Sequence, residues 1–430
     1  MKKIFATVML FITALCFSGR ASATLELEIT GGQDIGYPIA VSDFAAAANP
    51  QLAKDLAAVV RNDLMFSGKF SPLAPGRMPQ QAADKSQLKA ELWRDLVNSV
   101  AVGKLEEAGD KYRLTYQLVE VAGGEVLVSK AITFSRNQLR TAAHTVSNQI
   151  YEAIIHERGA FLTKISYVSV KHGQQYPYQL VVADYDGYNE QVILRSREPV
   201  MSPSWDPKDS RIAYVSFESK HPAIYIQNYR TKQRIKVAQF NGINGNPVFS
   251  PDGTRLAMVL SKDGNPEIYV LDIASKTLKR ITNNRVIDTE PSWDPSGNFI
   301  YFSSERGGRP QIYRVDVNNP SSVARVTWDN ISNLDPAVAP DGRSIAFITR
   351  IDNSYRVARQ ELDTKYMMVL TNNKFDESPC FAPNGSMIIY ATMVRGKKSL
   401  ALVSSDGRFQ ANLPSTSGAI SAPSWSPFFN

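Results

Sequence analysis

One five-residue phrase recurs six times along the chain, and it restricts the fold more than any other feature of the sequence. Each copy has proline at its first and fifth positions, often with tryptophan or phenylalanine between them. The copies occupy residues 203–207, 247–251, 291–295, 336–340, 379–383 and 423–427. Their second prolines lie 43 to 45 residues apart. A period near 44 residues with several short strands per unit is typical of β-propeller blades.

The residues that follow each phrase support the same interpretation. Residues 250–253 read Ser-Pro-Asp-Gly, which favours a tight turn because proline fixes φ and glycine suits the last position. The next segments, such as 256–260 and 345–348, are apolar throughout and predict strands covered on both faces. The last strand of a unit is more polar, with Lys279 and Arg280, as expected at an exposed outer edge. Four strands per unit are the composition of a propeller blade.

The two ends of the array are incomplete in complementary ways. Residues 165–168 resemble the central strand at 212–215, but no proline phrase precedes them. The last phrase, at 423–427, is followed by only three residues. Joined, the two fragments complete one blade. The sequence therefore predicts an all-β six-bladed β-propeller over residues 165–430, closed by the C-terminal strand.

Residues 24–160 carry no repeat and predict an N-terminal α+β domain. Alternating or β-branched segments predict strands, and apolar residues at helical spacing predict helices. The expected strands are 25–29, 37–41, 99–106, 112–121 and 125–134, and the expected helices are 50–66, 86–96 and 137–156.

The first 23 residues are typical of a cleaved secretory signal. Lys2 and Lys3 precede an apolar stretch at 4–17 that is too short to span a bilayer. Ala21-Ser22-Ala23 then supplies the small residues of a cleavage site, so the mature chain is expected to begin at Thr24 and to be exported. No later segment is long and apolar enough to be a transmembrane helix.

Charge and cysteine content narrow the function classes. Loss of Lys2, Lys3 and Arg20 with the signal lowers the formal net charge from +7 to +4, which favours solubility and gives no indication of nucleic-acid binding. Cleavage also removes Cys16 and leaves Cys380, so no internal disulfide is expected. The expected product is a monomer held together by its cores, with Cys380 as a small buried residue.

Catalytic motifs are missing from the sequence. The chain has four histidines and contains no H-E-x-x-H, P-loop or G-x-S-x-G motif, so we expect no enzyme activity and no cofactor. Two alternatives stay open. One is a lactonase-like propeller hydrolase with a channel metal bound by Glu290 and Asp335. The other is a propeller that binds peptidoglycan or another carbohydrate, although Trp205, Trp293 and Trp425 occupy the repeat and are expected in the core.

Several stretches together resemble the TolB family of periplasmic propeller proteins of the Tol–Pal system, over essentially the whole mature chain. They are Leu-Glu-Leu-Glu-Ile-Thr-Gly-Gly at 25–32, Tyr-Pro-Ile-Ala-Val at 37–41, Val-Ala-Asp-Tyr-Asp-Gly-Tyr at 182–188, Thr-Glu-Pro-Ser-Trp at 289–293 and Val-Ser-Ser-Asp-Gly-Arg-Phe at 403–409. The resemblance implies a periplasmic scaffold that binds the lipoprotein Pal through one propeller face and TolA through the mature N-terminus. It also implies roles in outer-membrane integrity and cell division, and contacts with outer-membrane proteins and imported bacteriocins.

The loops that enter the innermost strands are expected to ring one mouth of the channel. The resemblance assigns Asn244, Gly245, Asn246, Thr289 and Glu290 to the Pal-binding face, and it leaves the role of the neighbouring Ile243 open because the family commonly has a polar residue there. Asp335 and Glu377 lie in the corresponding loops of later blades. With Glu290 they predict an acidic mouth that receives basic side chains or a cation such as calcium.

The mature N-terminus is the second expected binding segment. Leu25, Glu26, Leu27, Glu28 and Ile29 alternate as a strand that could add to the sheet of a partner. The resemblance favours TolA as that partner. The alternative is that these residues add a strand to the sheet of their own domain.

Overall fold

A computed structural model describes residues 27–29, 36–208, 210–328, 332–414 and 418–429. The expected signal at 1–23, and Leu25 and Glu26 of the N-terminal segment, lie outside the described residues. No helix in the described ranges is long and apolar enough to cross a membrane.

The N-terminal domain is a five-stranded mixed sheet with two helices. After a short strand β1 (Leu27–Ile29), which belongs to another sheet, the elements are β2 (Tyr37–Val41), α1 (Pro50–Phe66), β3 (Phe70–Pro72), β4 (Ser99–Ala108), β5 (Lys111–Glu120), β6 (Val126–Phe134) and α2 (Leu139–Ile155). The strand order is β3-β2-β4-β5-β6, and β2 pairs in parallel with both of its neighbours. Three-residue 3-10 turns lie at Pro75–Arg77, Lys85–Gln87, Ala90–Leu92 and Arg136–Gln138.

Most elements of this domain match the sequence prediction, but the helix expected at 86–96 is wrong. Only two short 3-10 turns form there, separated by extended backbone at Leu88 and Lys89. The side chain of Gln80 accepts from the Lys89 N–H at 3.0 Å and donates to the Gln87 carbonyl at 2.6 Å. Trp93, which is fully buried, anchors the segment against the sheet. Tertiary contacts thus override a short helical pattern.

The remaining residues form six four-stranded blades, as predicted. Blade 1 contains β7 (Lys164–Val170), β8 (Tyr178–Asp184) and β9 (Gln191–Ser196), and blades 2 to 6 follow in chain order. Blade 2 is β10 (Val200–Trp205), β11 (Arg211–Ser216), β12 (Ala223–Asn228) and β13 (Arg234–Ala238); blade 3 is β14 (Asn244–Phe249), β15 (Arg255–Leu260), β16 (Glu267–Asp272) and β17 (Leu278–Arg280); blade 4 is β18 (Asp288–Trp293), β19 (Phe299–Ser304), β20 (Gln311–Asp316) and β21 (Ala324–Arg325). Blade 5 is β22 (Asn333–Val338), β23 (Ser344–Ile351), β24 (Ser354–Glu361) and β25 (Met367–Val369); blade 6 is β26 (Glu377–Phe381), β27 (Met387–Val394), β28 (Lys397–Ser404) and β29 (Phe409–Asn412).

The C-terminal strand closes the ring, which confirms the predicted closure. β30 (Ala419–Trp425) pairs antiparallel with β7 and serves as the inner strand of blade 1, with Ala419 opposite Val170 and Trp425 opposite Ile165. The indole N–H of Trp425 donates to Thr163 Oγ1 at 2.7 Å. Closure therefore joins the two ends of the propeller sequence by backbone pairing and by a buried side chain.

Every inner strand has a bulge immediately before the first proline of the repeat. The strand register shifts there, and the residue that precedes proline has a positive φ. These residues are Ser202, Asn246, Glu290, Asp335, Ser378 and Ala422, with φ between 42° and 55°. Because proline has no N–H to donate, it fits a position where the ladder is already interrupted. The six bulges and their prolines line the central channel, a cavity of about 260 Å³.

The outer strands of blades 3, 4 and 5 end at the same kind of contact. Buried threonines follow these strands, and each hydroxyl accepts from a backbone N–H of the third strand of its own blade. The pairs are Thr282 with Ile268 at 2.9 Å, Thr327 with Ile312 at 3.0 Å and Thr371 with Val357 at 2.9 Å. A side-chain hydrogen bond thus replaces the next step of the strand ladder.

The N-terminal domain packs on the blade that closes the ring. Tyr185 of blade 1 stacks on Trp425 with ring centroids 6.2 Å apart, and Phe161 packs on Tyr185 at 5.7 Å. These rings belong to one apolar cluster that also contains residues of α1 and α2. Arg408 of blade 6 donates to the Gly68 carbonyl after α1. The two domains therefore share a continuous core.

Deletion of residues 421–430 should strongly destabilise the propeller, because it removes most of β30 and reopens blade 1. We expect a truncated mature protein to melt far below wild type, or without a cooperative transition, when followed by circular dichroism. Near wild-type melting would contradict closure by β30.

A point variant gives the same test without shortening the chain. Trp425→Ala should cost about 3–5 kcal/mol of unfolding free energy in urea titrations, since it empties a buried site. The matched control is Trp328→Ala, because Trp328 is 67% exposed, and its expected effect is within about 0.5 kcal/mol.

Candidate functional site: the channel mouth and the domain interface

The inner strands all enter the channel from the same end, so the residues before and at their starts form one rim. Large apolar side chains are exposed around it. Met201 is 50% exposed, Ile243 47%, Ile287 44% and Phe375 56%. Apolar groups of this size at neighbouring blade entrances are typical of a protein-binding surface.

The first position of the inner strand has a structural role in several blades. Asn244 is buried, and its amide donates to the Phe240 carbonyl at 2.7 Å while its oxygen accepts from the Phe240 N–H at 2.8 Å. Asp288, at the equivalent position, accepts from Asn284 and Arg306, both at 2.6 Å. The structure therefore places Asn244 beneath the surface, where it holds the loop that presents its neighbours.

Glu290 and Asp335 occupy the bulge position in two consecutive blades and link those blades to each other. Glu290 Oε2 accepts from the Asp335 N–H at 2.8 Å and from the Ser303 hydroxyl at 2.6 Å. Asp335 Oδ2 in turn accepts from the Ser378 N–H of blade 6 at 3.0 Å. Each acid thus bonds to a backbone amide of the next blade, and both line the channel.

This pair of carboxyl groups is electrostatically unfavourable when both are ionised. Burial raises the pKa of Glu290. Burial and, next, the charge of Glu290 raise the pKa of Asp335 to about 8. The pair therefore retains a proton at neutral pH. A cation placed beside it would favour loss of that proton.

The other predicted rim residues lie around this pair. Gly245, Asn246 and Thr289 are half-buried. Glu377 forms an ion pair with Lys398, whose Nζ lies 2.8 and 2.9 Å from the two carboxylate oxygens. Glu290, Asp335 and Glu377 line one pocket, so the structure brings the three predicted acids together.

The acids at the mouth do not form a group of three metal-ligating side chains in the described ranges. The one such group is Asp63, His144 and Asp186, at the domain interface. His144 Nδ1 lies 2.8 Å from Asp63 Oδ2, and Nε2 lies 3.3 Å from Asp186 Oδ2. Arg140 also pairs with Asp186, and the Tyr185 hydroxyl donates to Asp63. All but Arg140 are fully or almost fully buried.

Charge balance favours a proton over a metal in this interdomain cluster. Burial opposes a charge on His144, but the carboxylates of Asp63 and Asp186 outweigh it and raise the pKa of His144 to about 10. The imidazolium and the Arg140 guanidinium then neutralise the two carboxylates. A cation would have to displace the imidazole proton and lie beside Arg140. The cluster therefore ties α1 and α2 to blade 1 as a buried ionic network.

Sequence reasoning assigned no role to His144 and did not predict this network. A signal was present. Arg140, His144, Ser147 and Tyr151 are spaced as one stripe of α2, and Ser147 also donates to Asp63 at 2.6 Å. A polar stripe next to the apolar face of a helix indicates a buried polar contact.

The N-terminal strand lies on the propeller, so the alternative that it extends the sheet of its own domain is wrong. β1 pairs antiparallel with β29, with Leu27 opposite Ala411, Glu28 opposite Gln410 and Ile29 opposite Phe409. Blade 6 becomes a five-stranded sheet. The pairing covers the outer edge of that blade.

Two known families match the chain, one for each part. The family described as the TolB amino-terminal domain matches residues 25–127, and the family described as the TolB beta propeller domain matches residues 151–429.

Individual relatives match over the whole length. The Tol-Pal system protein TolB of Hamiltonella defensa subsp. Acyrthosiphon pisum (strain 5AT) is 47% identical over 430 residues, which is 100% of both chains. That of Haemophilus influenzae (strain PittGG) is 46% identical over 437 aligned positions, covering 100% of this chain and 99% of its own. The crystal structure of TolB from Acinetobacter baumannii superposes with a TM-score of 0.84 at 38% identity, covering 94% of this chain and 100% of that one.

His144→Gln should destabilise the protein by about 3–5 kcal/mol at pH 7, because it leaves two buried carboxylates with one cation. The folded-state pKa of His144 exceeds its ordinary value near 6.5, so this stabilisation is complete below about pH 6.5 and is lost as the pH rises towards about 10. Urea titrations from pH 6 to 9.5 should therefore show a decreasing difference between variant and wild type. The control is His172→Gln at an exposed loop position. Equal stability of the two variants would contradict the ionic role.

Proposed function

The chain belongs to the TolB family, and on this premise we propose that it is a non-enzymatic periplasmic scaffold of the Tol–Pal system. It binds the lipoprotein Pal through the channel mouth and TolA through its N-terminal segment. By connecting the two, it supports outer-membrane integrity and constriction during cell division. Outer-membrane proteins and imported bacteriocins are further candidates for the same mouth.

The single observation that carries the Pal-binding role is the combination of an exposed apolar rim with a half-buried acidic pair. Protein interfaces derive most of their affinity from central apolar contacts and from charges that become fully desolvated. The exposed rim residues are Met201, Ile243, Ile287 and Phe375, and Glu290 and Asp335 line the channel at the same mouth. A partner with a basic side chain at the centre of its own apolar patch would match both features.

The geometry of β1 supports a TolA-binding role. Among the described residues, three residue pairs join β1 to β29, and they add β1 to the outer edge of blade 6. A strand added at a sheet edge can exchange that pairing for pairing with another strand. TolA would then bind the segment after it leaves blade 6, by adding it to a sheet of its own.

The two alternative functions receive less support from the site. A sugar-binding role would need accessible aromatic rings, but Trp205, Trp293 and Trp425 are 5–7% exposed and belong to the core. A channel metal for hydrolysis would rest on the Glu290–Asp335 pair, each of which already accepts a backbone N–H.

The Glu290→Gln, Asp335→Asn double variant should bind the soluble domain of Pal at least about tenfold more weakly in calorimetry, because the amides keep the acceptors but not the charge. Wild-type affinity should also rise as the pH increases towards about 8, since cation binding releases the proton that Asp335 holds. The double variant should lose this pH dependence.

Asp341→Asn is the matched control, because Asp341 lies in an exposed turn after the inner strand of blade 5. Its Pal affinity should equal that of wild type. Unchanged affinity of the double variant would remove the acidic pair from the interface.

A disulfide between Glu28→Cys and Gln410→Cys should block TolA binding when oxidised, because these positions face each other across the β1–β29 pair. Reduction of the disulfide should restore TolA binding. Pal affinity should be the same for the oxidised and the reduced protein. Glu28→Cys alone is the control. If the oxidised double variant binds TolA as tightly as the reduced one, release of β1 is not needed.

A further inference from the structure

The central hairpins of blades 5 and 6 are longer than those of blades 2 to 4. β23, β24, β27 and β28 each contain eight residues, whereas β11, β12, β15, β16, β19 and β20 contain six. The longer hairpins end in two-residue turns whose four residues all have positive φ: Asp352, Asn353, Arg395 and Gly396. Such turns continue the strand ladder to its end.

A change at one repeat position explains the difference. Pro222, Pro266 and Pro310 stand two residues before the first buried isoleucine of the third strand in blades 2 to 4. Tyr355 and Lys398 hold that position in blades 5 and 6. The carbonyls of Pro266 and Tyr355 accept from equivalent N–H groups, those of Asp288 at 3.1 Å and Asp376 at 2.9 Å. Proline ends the ladder because it lacks an N–H, and its replacement extends both strands.

The two extended hairpins form the walls of a pocket at the mouth. Its volume is about 490 Å³, within the range of sites that enclose a ligand group. Tyr355 and Lys398, the two residues that replace proline, both line it. Glu290, Asp335, Ile348, Phe375, Glu377 and Met393 also line it.

The pocket has apolar walls and one acidic side. Ile348 is buried, while Phe375 and Met393 are 56% and 39% exposed and available for contact. The charge of Glu377 is compensated by Lys398. The described contacts of the Glu290–Asp335 pair are with Ser303 and backbone amides, and none of them is with a cation.

We propose that this pocket between blades 5 and 6 is an anchor site for one large apolar side chain of a partner segment that carries lysine or arginine close by. The apolar group fills the space between the extended hairpins. The basic group reaches Glu290 and Asp335, which line both the pocket and the channel. The inference rests on the proposed binding function of the mouth and adds the chemistry of the recognised segment.

Met393→Glu tests the anchor site directly, because it adds a charge to the apolar wall at an accessible position. The control is Met201→Glu, which adds the same charge to the same mouth outside the pocket. With the full mature protein, we expect the dissociation constant for soluble Pal to rise at least about tenfold for Met393→Glu and several-fold less for Met201→Glu. Phe375→Ala should weaken binding in the same direction, and thermal melting of all variants checks the fold.

A second experiment does not depend on Pal. Random peptides displayed on phage are selected on the wild-type mature protein and then measured on Met393→Glu and Met201→Glu. Peptides with an aromatic or long aliphatic residue near lysine or arginine should be enriched, and they should lose several-fold more affinity on Met393→Glu than on Met201→Glu.

The outcomes separate the anchor site from the wider function. If Pal binds wild type and both methionine variants equally, the anchor site is overturned while the Pal-binding function stands. If Pal does not bind the wild-type protein, the proposed function fails. The peptide selection then tests the anchor site by itself. Enriched peptides without the apolar–basic pair, or with equal affinity for all three proteins, would overturn the anchor site.

Discussion

Antiparallel pairing of β30 with β7 is the interaction on which the rest of the structure depends. Each blade has strands that are apolar on both faces, so each needs a neighbour on both sides. An open array would leave two such faces in water. Closure also places Trp425 between Thr163 and Tyr185, and Tyr185 connects to α1 through Asp63. The ring and the domain interface are therefore stabilised together.

The bulge before proline is the second recurring device, and it connects fold to function. It interrupts the inner ladder in every blade and turns one residue of each blade towards the channel. Four blades have uncharged residues at this position. Blades 4 and 5 have Glu290 and Asp335, which are held by amides of the next blade and raise each other's cost of ionisation. A structural position thus supplies the carboxyl groups of the proposed binding site for a partner's cation.

The features that distinguish individual blades from the common repeat are concentrated on one side of the ring. Blade 6 contributes a wall of the mouth pocket through Met393 and Lys398, and its outer edge pairs with β1. The N-terminal domain rests beside it through Gly68 and Arg408. Blade 6 therefore contributes to both proposed partner sites, through the end of its central hairpin and through its outer edge.

The number of blades, their strands and their closure were determined by the sequence alone, because period, turn chemistry and apolar runs are local and recur six times. The place of the acidic residues at the channel mouth also followed from the repeat, because they lie just before its first proline. The helix expected at 86–96 failed because the Gln80 side chain bonds the backbone of Gln87 and Lys89 in an extended path, and because Trp93 packs against the sheet. The place of β1, the pairing of Glu290 with Asp335 and the Asp63–His144–Asp186 cluster were decided only by tertiary structure. Asp63 and His144 are 81 positions apart, and β1 is farther still from β29, so no local pattern records which segments the folded core brings together.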